Sequence, residues 1–212
     1  MIILIGSEKG GGGKTTLATN LAVMRAVDGF DVLLLDTDKQ ESASNWATVR
    51  DEDEQLPRVA CLAKRGKGIL NEIKDLSTRY HDVVVDAGGH DSTELRSALL
   101  VADRIYIPCL PSQYDLWALD TMNELIGNAK PLNPNLEAFI LFNKINSNPR
   151  RSDLNEALTV INDFEHLTYS GLIIRDRISF VKTASEGKGV SEYNDQKAIE
   201  ELKQLYTHAF TN

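Results

Sequence analysis

The sequence predicts an α/β fold in which helices cover both faces of a doubly wound, mainly parallel sheet. Seven apolar runs of strand length alternate with stretches of helical periodicity, a pattern typical of parallel strands buried on both faces. With 212 residues, 42% of them hydrophobic, the chain can bury the core of one such domain, which we assign to residues 1–212. The predicted strands are 1–6, 31–36, 58–63, 82–87, 104–109, 138–143 and 169–174.

Three stretches carry apolar residues at helical spacing. Residues 15–28 and 115–127 each place them on one stripe, which predicts two helices that face the core. The C-terminal stretch places Ile199, Leu202, Tyr206 and Phe210 on one face, with acidic residues mostly elsewhere. We expect this helix to pack on the sheet, because it lacks the basic face with which surface helices hold anionic lipid.

Charge and composition exclude several classes of protein. A net charge of −8 argues against general coating by nucleic acid, so any DNA contact has to be local. No apolar run approaches the ~20 residues of a membrane span, and the first residues lack a basic leader, so we expect a cytoplasmic protein. Cys61 and Cys109 are isolated from each other and from clustered histidines, which predicts reduced thiols and no structural metal site.

The stretch GSEKGGGGKTTLATN follows the first predicted strand and opens a helix, which is the context of a phosphate-binding loop. Its glycines let backbone N–H groups approach phosphate oxygens, and the helix dipole adds to the attraction. Lys14 is expected to reach the β- and γ-phosphates of ATP, and the Thr15 hydroxyl to hold Mg²⁺. Glu8 occupies the position of the first glycine in the usual G-x-x-x-x-G-K-[ST] pattern.

Acidic residues end two of the predicted strands. Asp36 and Asp38 follow the second strand, at the edge where a parallel sheet binds ligands, so both could address Mg²⁺ or water. Asp86 ends the fourth strand in the form of a Walker B element and is expected to bind Mg²⁺ through water. Gly88 and Gly89 would then let the following loop pass close to the γ-phosphate.

The pattern K-G-G-x-G-K-[ST]-[ST] resembles the deviant Walker A box of the ParA/MinD superfamily. A second pattern resembles that of small plasmid-partition ParA proteins of the ParF type, and it is carried by Gln40, Ser42, Asn45 and Trp46. The resemblance implies that Lys9 crosses the interface of an ATP-bound homodimer to contact the other subunit's phosphates. A cation supplied by a partner neutralises the transferring phosphoryl group, as an arginine finger does. The ATP-binding residues implied by the box are Lys9, Gly10, Gly11, Gly12, Gly13, Lys14, Thr15 and Thr16.

Three further segments resemble the same superfamily. In the box D-x-D-P-Q the second aspartate, here Asp38, positions the attacking water and the metal, although Lys39 replaces the proline and leaves the loop less fixed. Asn143, in LFNKINSN, stands where the superfamily reads the adenine edge. LPSQYDLWAL resembles a segment near the nucleotide and the dimer interface, and a plain helix start capped by Ser112 is an equal alternative.

Residues 173–193 form the best candidate DNA-binding segment. They resemble a ParA region that runs from an arginine pair to a G-x-x-V-x-E box and binds DNA without sequence preference. Arg150 and Arg151 are a second candidate, and ordinary solvated basic residues remain the alternative for both. Within 175–188 the basic residues outnumber the acidic ones four to two, and they are Arg175, Arg177, Lys182 and Lys188.

The leading hypothesis is an Mg²⁺-dependent ATPase that dimerises on ATP, binds nucleoid DNA and distributes plasmid DNA with a ParB-like centromere-binding partner. Its catalytic residues would be Lys9, Lys14 and Asp38, with Thr15, Asp38 and Asp86 around the metal. A MinD-like ATPase at a membrane, or one that positions conjugation, chemosensory or cellulose-synthesis machinery, is the first alternative. A biosynthetic enzyme of the dethiobiotin synthetase type is the second, and an iron-sulfur reductase lacks the expected setting for its cysteines.

Overall fold

The computed structural model describes residues 1–146 and 151–211, without the side chains of 151–153. Seven parallel strands form one sheet in the order β3-β2-β4-β1-β5-β6-β7, which confirms the predicted doubly wound α/β fold. The strands are β1 Ile2–Ser7, β2 Val32–Asp36, β3 Ala60–Ala63, β4 Asp82–Gly89, β5 Arg104–Cys109, β6 Glu137–Ile145 and β7 Thr168–Arg175.

Helices cover both faces of this sheet. The helices α3 to α6 pack on one face, while α1, α2 and α8 pack on the other. Along β1 the side chains alternate between these two cores, Ile2 and Leu4 in the first and Ile3 and Ile5 in the second, because successive strand residues point to opposite faces. The helices are α1 Lys14–Val27, α2 Ser42–Arg50, α3 Ile69–Arg79, α4 Thr93–Leu99, α5 Gln113–Ala129, α6 Arg151–Ile161, α7 Ile178–Ser185 and α8 Gln196–Phe210, with a 3₁₀ turn at Val190–Glu192.

The C-terminal helix α8 packs on the sheet as predicted, but its buried face is rotated from the predicted one. Leu202 is fully buried, whereas Tyr206 and Phe210 are only partly buried at the edge of the core. Glu201, expected to lie mostly away from the core, is buried because its carboxylate accepts hydrogen bonds from two arginines. None of the described helices combines the length and apolarity needed to cross a membrane.

A buried arginine joins α2 to the 3₁₀ turn and to the loop before it. The Arg50 side chain is 1% exposed and donates to both carboxylate oxygens of Glu192, at 2.9 and 2.7 Å. It also donates to the carbonyls of Pro57 and Gly187. Gly187 adopts φ 65°, and a Cβ there would lie 2.4 Å from the backbone nitrogen of Arg50, so this position requires glycine. The G-x-x-V-x-E box therefore has a structural role in binding Arg50.

Candidate nucleotide-binding site

The glycine loop lies between the carboxyl end of β1 and the first turn of α1. Gly11 and Gly13 adopt φ values of 79° and 87°, which glycine reaches without steric cost. Gly13 is the N-cap of α1, so the free N–H groups of that helix begin at the loop. Gly89, at the end of β4, backs the loop so closely that a Cβ there would lie 3.0 Å from the Gly10 nitrogen. This arrangement can bind an anion at a helix N-terminus.

Lys14 is buried beneath the loop. Its ammonium group donates to Ser7 Oγ at 3.2 Å and to the carbonyl of Lys9 at 3.0 Å. Burial lowers the pKa of Lys14, while the nearby carboxylates of Asp86 and Asp38 act in the opposite direction. The side chain is thus held in the phosphate loop by neutral acceptors, which a phosphate oxygen could replace.

Asp86 and Thr15 form the polar base of the site. Asp86 is 1% exposed, and its Oδ2 accepts a hydrogen bond of 2.6 Å from Thr15 Oγ1. Its Oδ1 has no hydrogen-bond partner among the described residues. Burial raises the pKa of Asp86 to about 7. A buried carboxylate oxygen without a partner, beside a hydroxyl and near a phosphate loop, fits a hydrated Mg²⁺ ion, which takes oxygen ligands and keeps several waters.

The two aspartates after β2 have different environments. Asp36 is fully buried, and its carboxylate accepts hydrogen bonds from the backbone N–H of Asp38 and from the N–H and hydroxyl of Ser44. Asp36 therefore fixes the loop and the start of α2. Asp38 is half-buried and faces Gly88, where a Cβ would lie 3.3 Å from the Asp38 Cγ. Of the two, Asp38 is the carboxylate that remains available to a ligand.

The turn after Asp38 closes with Lys39 in the position of the family proline. The Gln40 N–H donates to Asp38 Oδ1 at 3.0 Å, and the Glu41 N–H donates to the Asp38 carbonyl at 3.2 Å. Glu41 completes the turn with φ 52°. Local hydrogen bonds that Asp38 accepts thus hold the backbone here, as they do in other turns that begin with aspartate.

Lys9 points toward α5 in this chain. Its ammonium group lies 2.9 Å from Asp115 Oδ2, and the Lys9 side chain is 47% exposed. Ser112 caps α5 by accepting from the Asp115 N–H, as the alternative interpretation of this segment expected, and its hydroxyl also donates to the Asp115 carboxylate. Lys9 does not line the phosphate cavity of its own chain.

Two adjacent cavities open beside the loop. The first, of about 430 Å³, is lined by the glycine loop, Asp38, Lys144 and other residues, and the second, of about 310 Å³, by Asn143, Lys144, Arg175, Phe180 and their neighbours. Thr16 and Lys144 line both cavities, so these two residues stand at the boundary between them. Charged side chains line both cavities, and the second adds the aromatic ring of Phe180. The pair of cavities suits the phosphate and base ends of one nucleotide.

Asn143 contacts the phosphate loop directly. Its side chain is 5% exposed and donates from Nδ2 to the Gly12 carbonyl at 2.7 Å. It also lines the second cavity, where an adenine-reading residue would lie. The reading of adenine by Asn143 stays a prediction.

Two residues of the phosphate cavity were missed by sequence reasoning. Lys144 and His90 both line it, and both adopt positive φ values, 57° and 93°. The His90 N–H donates to the Glu8 carbonyl at 2.7 Å, which ties the end of β4 to the phosphate loop. A left-handed backbone at a residue other than glycine leaves no signal in a single sequence, although both positions directly follow residues that the motifs single out.

Among the residues whose side chains the structure describes, the predicted DNA-binding residues do not form one free basic surface. Arg175 and Arg177 each lie 2.7 Å from Glu201 Oε1, and both line the second cavity. Lys188 pairs with Glu186 at 2.9 Å. Lys182 is exposed and has no ion pair in the described part of the chain. Arg150 lies outside the described residues, and Arg151 begins α6 with a side chain that is not described.

A glycine loop after the central strand, a buried lysine and a Walker B aspartate together define a P-loop nucleotide-binding protein. Residues 3–190 match the family model of the CobQ/CobB/MinD/ParA nucleotide binding domain. The chain therefore belongs to this family and is a member of the ParA/MinD superfamily of ATPases.

Known relatives cover nearly the whole chain. The chain is 29% identical to "Maintenance of carboxysome distribution protein A" of Halothiobacillus neapolitanus over 210 residues, 96% of this chain and 93% of that protein. The fold matches MinD in complex with Mg-ADP from Pyrococcus horikoshii, with a TM-score of 0.75, 17% identity and coverage of 99% and 96%. It also matches a plasmid partition protein from Borrelia burgdorferi, with a TM-score of 0.64, 18% identity and coverage of 97% and 95%.

Replacing Asp86 by asparagine is expected to stabilise the nucleotide-free protein at alkaline pH. Burial raises the pKa of Asp86 from 3.8 to about 7. Between pH 3.8 and pH 7, Asp86 is therefore protonated in the folded protein and mostly deprotonated in the unfolded chain. Its contribution to stability therefore declines as pH rises through this window, and at pH 8 the folded state carries a buried anion. Asp86→Asn should gain about 1 kcal/mol or more at pH 8 and little at pH 4.

Thermal unfolding without nucleotide and Mg²⁺, at both pH values, measures this effect. The exposed Asp120→Asn on α5 controls for the loss of one negative charge. Equal shifts for the two variants at pH 8, or a loss of stability in Asp86→Asn, would contradict the assignment of a buried, destabilising carboxylate.

Proposed function

We propose that this protein is an Mg²⁺-dependent ATPase that dimerises on ATP, binds DNA without sequence preference and distributes plasmid DNA with a ParB-like centromere-binding partner. The observation that carries the proposal is the position of Lys9. This lysine belongs to the family box, yet in its own chain it pairs with Asp115 and does not line the phosphate cavity. A family lysine that is directed away from its own phosphate cavity supports a role toward the nucleotide of another subunit.

The residues of the site divide the chemistry of ATP hydrolysis among them. Lys14 would bind the β- and γ-phosphates from beneath the loop, and Asp38 would orient the attacking water. Mg²⁺, held through Thr15 and Asp86, would neutralise charge on the phosphates. Positioning and electrostatic stabilisation account for most of the catalysis of phosphoryl transfer, and this arrangement of residues supplies both.

An exposed aromatic pair supports dimerisation through this face. Tyr114 and Trp117 are 73% and 58% exposed, and their rings meet edge to face at 5.4 Å. Asp115, the partner of Lys9, lies between them in sequence. Large aromatic side chains left in water are typical of surfaces that a partner covers. A second copy over this face would bury the pair where Lys9 has to cross.

The DNA-binding step rests on the exposed basic residues of α7 and the neighbouring loop. Lys182 is exposed without an ion pair among the described residues. Lys188 forms an exposed ion pair with Glu186, and its ammonium group can exchange this carboxylate for a DNA phosphate. Two subunits side by side would double this weak patch. DNA binding through phosphates should then weaken steeply with salt. The ATP-bound protein would accordingly associate with the nucleoid inside the cytoplasm.

Gel shifts of unrelated DNA with ATP, with ADP and without nucleotide test this step. We expect retention with ATP alone, and a loss of about tenfold in affinity for Lys182→Glu, because each dimer exchanges two cations for two anions. Lys74→Glu, at an exposed lysine of α3, is the matched control. Equal DNA binding with ATP, with ADP and without nucleotide would argue against the proposal. A Lys182→Glu variant that binds DNA as tightly as Lys74→Glu would also argue against it.

Positioning of a protein cargo is the second candidate function. The similarity to a carboxysome distribution protein over nearly the whole chain favours it. The ATP cycle would be the same, and only the partner that stimulates hydrolysis would differ. A small DNA-binding gene beside this one, with repeated sites nearby, would favour DNA partition. Sedimentation with anionic vesicles in the presence of ATP would instead indicate a membrane-associated ATPase.

A further inference from the structure

Two consecutive residues at the end of β6 bind two consecutive carbonyls of the phosphate loop. Asn143 donates from Nδ2 to the Gly12 carbonyl at 2.7 Å, and Lys144 donates from Nζ to the Gly11 carbonyl at 2.9 Å. The lysine contact carries a full charge and is exposed, so water partly screens it. Both carbonyl oxygens are therefore fixed on the β6 side of the loop.

Peptide geometry converts these contacts into an orientation of the loop's donors. In a planar trans peptide the carbonyl of one residue and the N–H of the next point in opposite directions. Holding the oxygens of Gly11 and Gly12 toward β6 thus turns the N–H groups of Gly12 and Gly13 away from β6. Successive backbone N–H groups turned to one side form the concave nest that binds anions in phosphate loops.

The backbone at Lys144 is strained to make this contact. Lys144 adopts φ 57°, a left-handed conformation that is sterically unfavourable for a residue with a side chain. Such strain persists only where the surroundings enforce it. Gly13 also leaves room for this pair, because a Cβ there would lie 2.4 Å from Asn143 Nδ2 and 3.4 Å from Lys144 Cε.

We propose that Lys144 is a positioning residue for nucleotide binding, which acts by holding the Gly11 carbonyl and so pre-orienting the N–H donors of the phosphate loop. Lys144 lies at the boundary between the first and the second cavity. Its contact with the Gly11 carbonyl involves protein groups alone, so it can form before the nucleotide arrives. The inference rests on nucleotide binding by this site. It does not depend on DNA, a partner or a second subunit.

Titration of the purified protein with fluorescent ADP and with a non-hydrolysable ATP analogue tests this inference. Lys144→Met keeps the apolar stem and removes the donor, and it should weaken binding of both nucleotides by about tenfold or more, leaving their ratio unchanged. Lys144→Arg keeps a cationic donor and should recover most of the affinity. Lys74→Met, at an exposed lysine of α3, is the matched control and should bind like the wild type.

Hydrogen exchange of the nucleotide-free protein supplies a readout that binding alone does not. In Lys144→Met the Gly12 and Gly13 amides should exchange several-fold faster, while urea unfolding of the whole protein stays unchanged. Unaltered affinity would overturn the proposal. A loss confined to the ATP analogue would also overturn it, since that result indicates a direct contact with the γ-phosphate. A loss that follows a fall in global stability would show a merely structural role. Failure of DNA binding or dimerisation would leave these measurements untouched.

Discussion

Replacing Lys9 by alanine is expected to abolish partner-stimulated ATP turnover while nucleotide binding stays measurable. The loss should be on the order of 10³-fold, the scale of removing a cation that a partner subunit supplies to the transferring phosphoryl group. Binding should persist because Lys14, the glycine loop and Thr15 remain in place in each chain. Steady-state phosphate release, with DNA and the stimulating partner present, measures the change.

A mixture of two inactive variants distinguishes action on the partner's nucleotide from action within one chain. Asp38→Ala removes the water-positioning carboxylate but keeps Lys9, whereas Lys9→Ala keeps Asp38. In a mixed dimer the nucleotide of the Lys9→Ala chain would have its own Asp38 and receive Lys9 from the other chain. An equal mixture should recover about a quarter of the wild-type rate, since half of randomly formed dimers are mixed and each has one complete site. No recovery would contradict the role across the interface.

Dimerisation of the Lys9→Ala variant has to be checked separately. Of the two tryptophans, Trp46 is buried and Trp117 is exposed, so burial of Trp117 on ATP binding should shift the emission to shorter wavelength. A variant that shows this shift but no turnover has lost the chemical step rather than the dimer. Lys74→Ala is the matched control and should keep both properties.

The fold and the central residues of the site could be predicted from the sequence because their signals are local. Continuous apolar runs predicted all seven strands of the sheet, and the glycine loop with Lys14 followed β1 as expected. The choice between Asp36 and Asp38 came from resemblance, and the structure adds its physical basis. Both carboxylate oxygens of Asp36 accept hydrogen bonds, from the backbone of its own loop and from Ser44, whereas the Asp38 carboxylate accepts one bond among the described residues, from the Gln40 N–H to its Oδ1.

The rest of the site depends on contacts between residues distant in the chain, which a single sequence does not show. Glu201 reads as a solvated residue of an amphipathic helix, yet it binds the arginines expected to contact DNA. Lys144 and His90 contribute through left-handed backbone conformations that tertiary contacts impose. Lys9 reads as a catalytic residue, and only the structure shows Asp115 as its partner within the chain.

Replacing Glu192 by alanine is expected to cost about 3 to 5 kcal/mol of unfolding free energy, the scale of breaking a buried ion pair from one side. Among the described residues, the guanidinium of Arg50, 1% exposed, would keep only the carbonyls of Pro57 and Gly187 as acceptors. Arginine cannot shed its charge at neutral pH, so the protein has to bury an uncompensated cation or open the loop. Either outcome consumes much of the 5–15 kcal/mol that stabilises a typical protein.

Urea unfolding without nucleotide measures this loss, and the chain supplies its own control. Glu186 also pairs with a basic residue of the same segment, Lys188, but its side chain is 48% exposed. Glu186→Ala should therefore cost less than about 1 kcal/mol, as exposed ion pairs do. Similar losses in both variants would mean that burial of Arg50 does not govern this contact. A large difference would establish that the G-x-x-V-x-E box stabilises α2 against the loop that carries Lys188, independently of any contact with DNA.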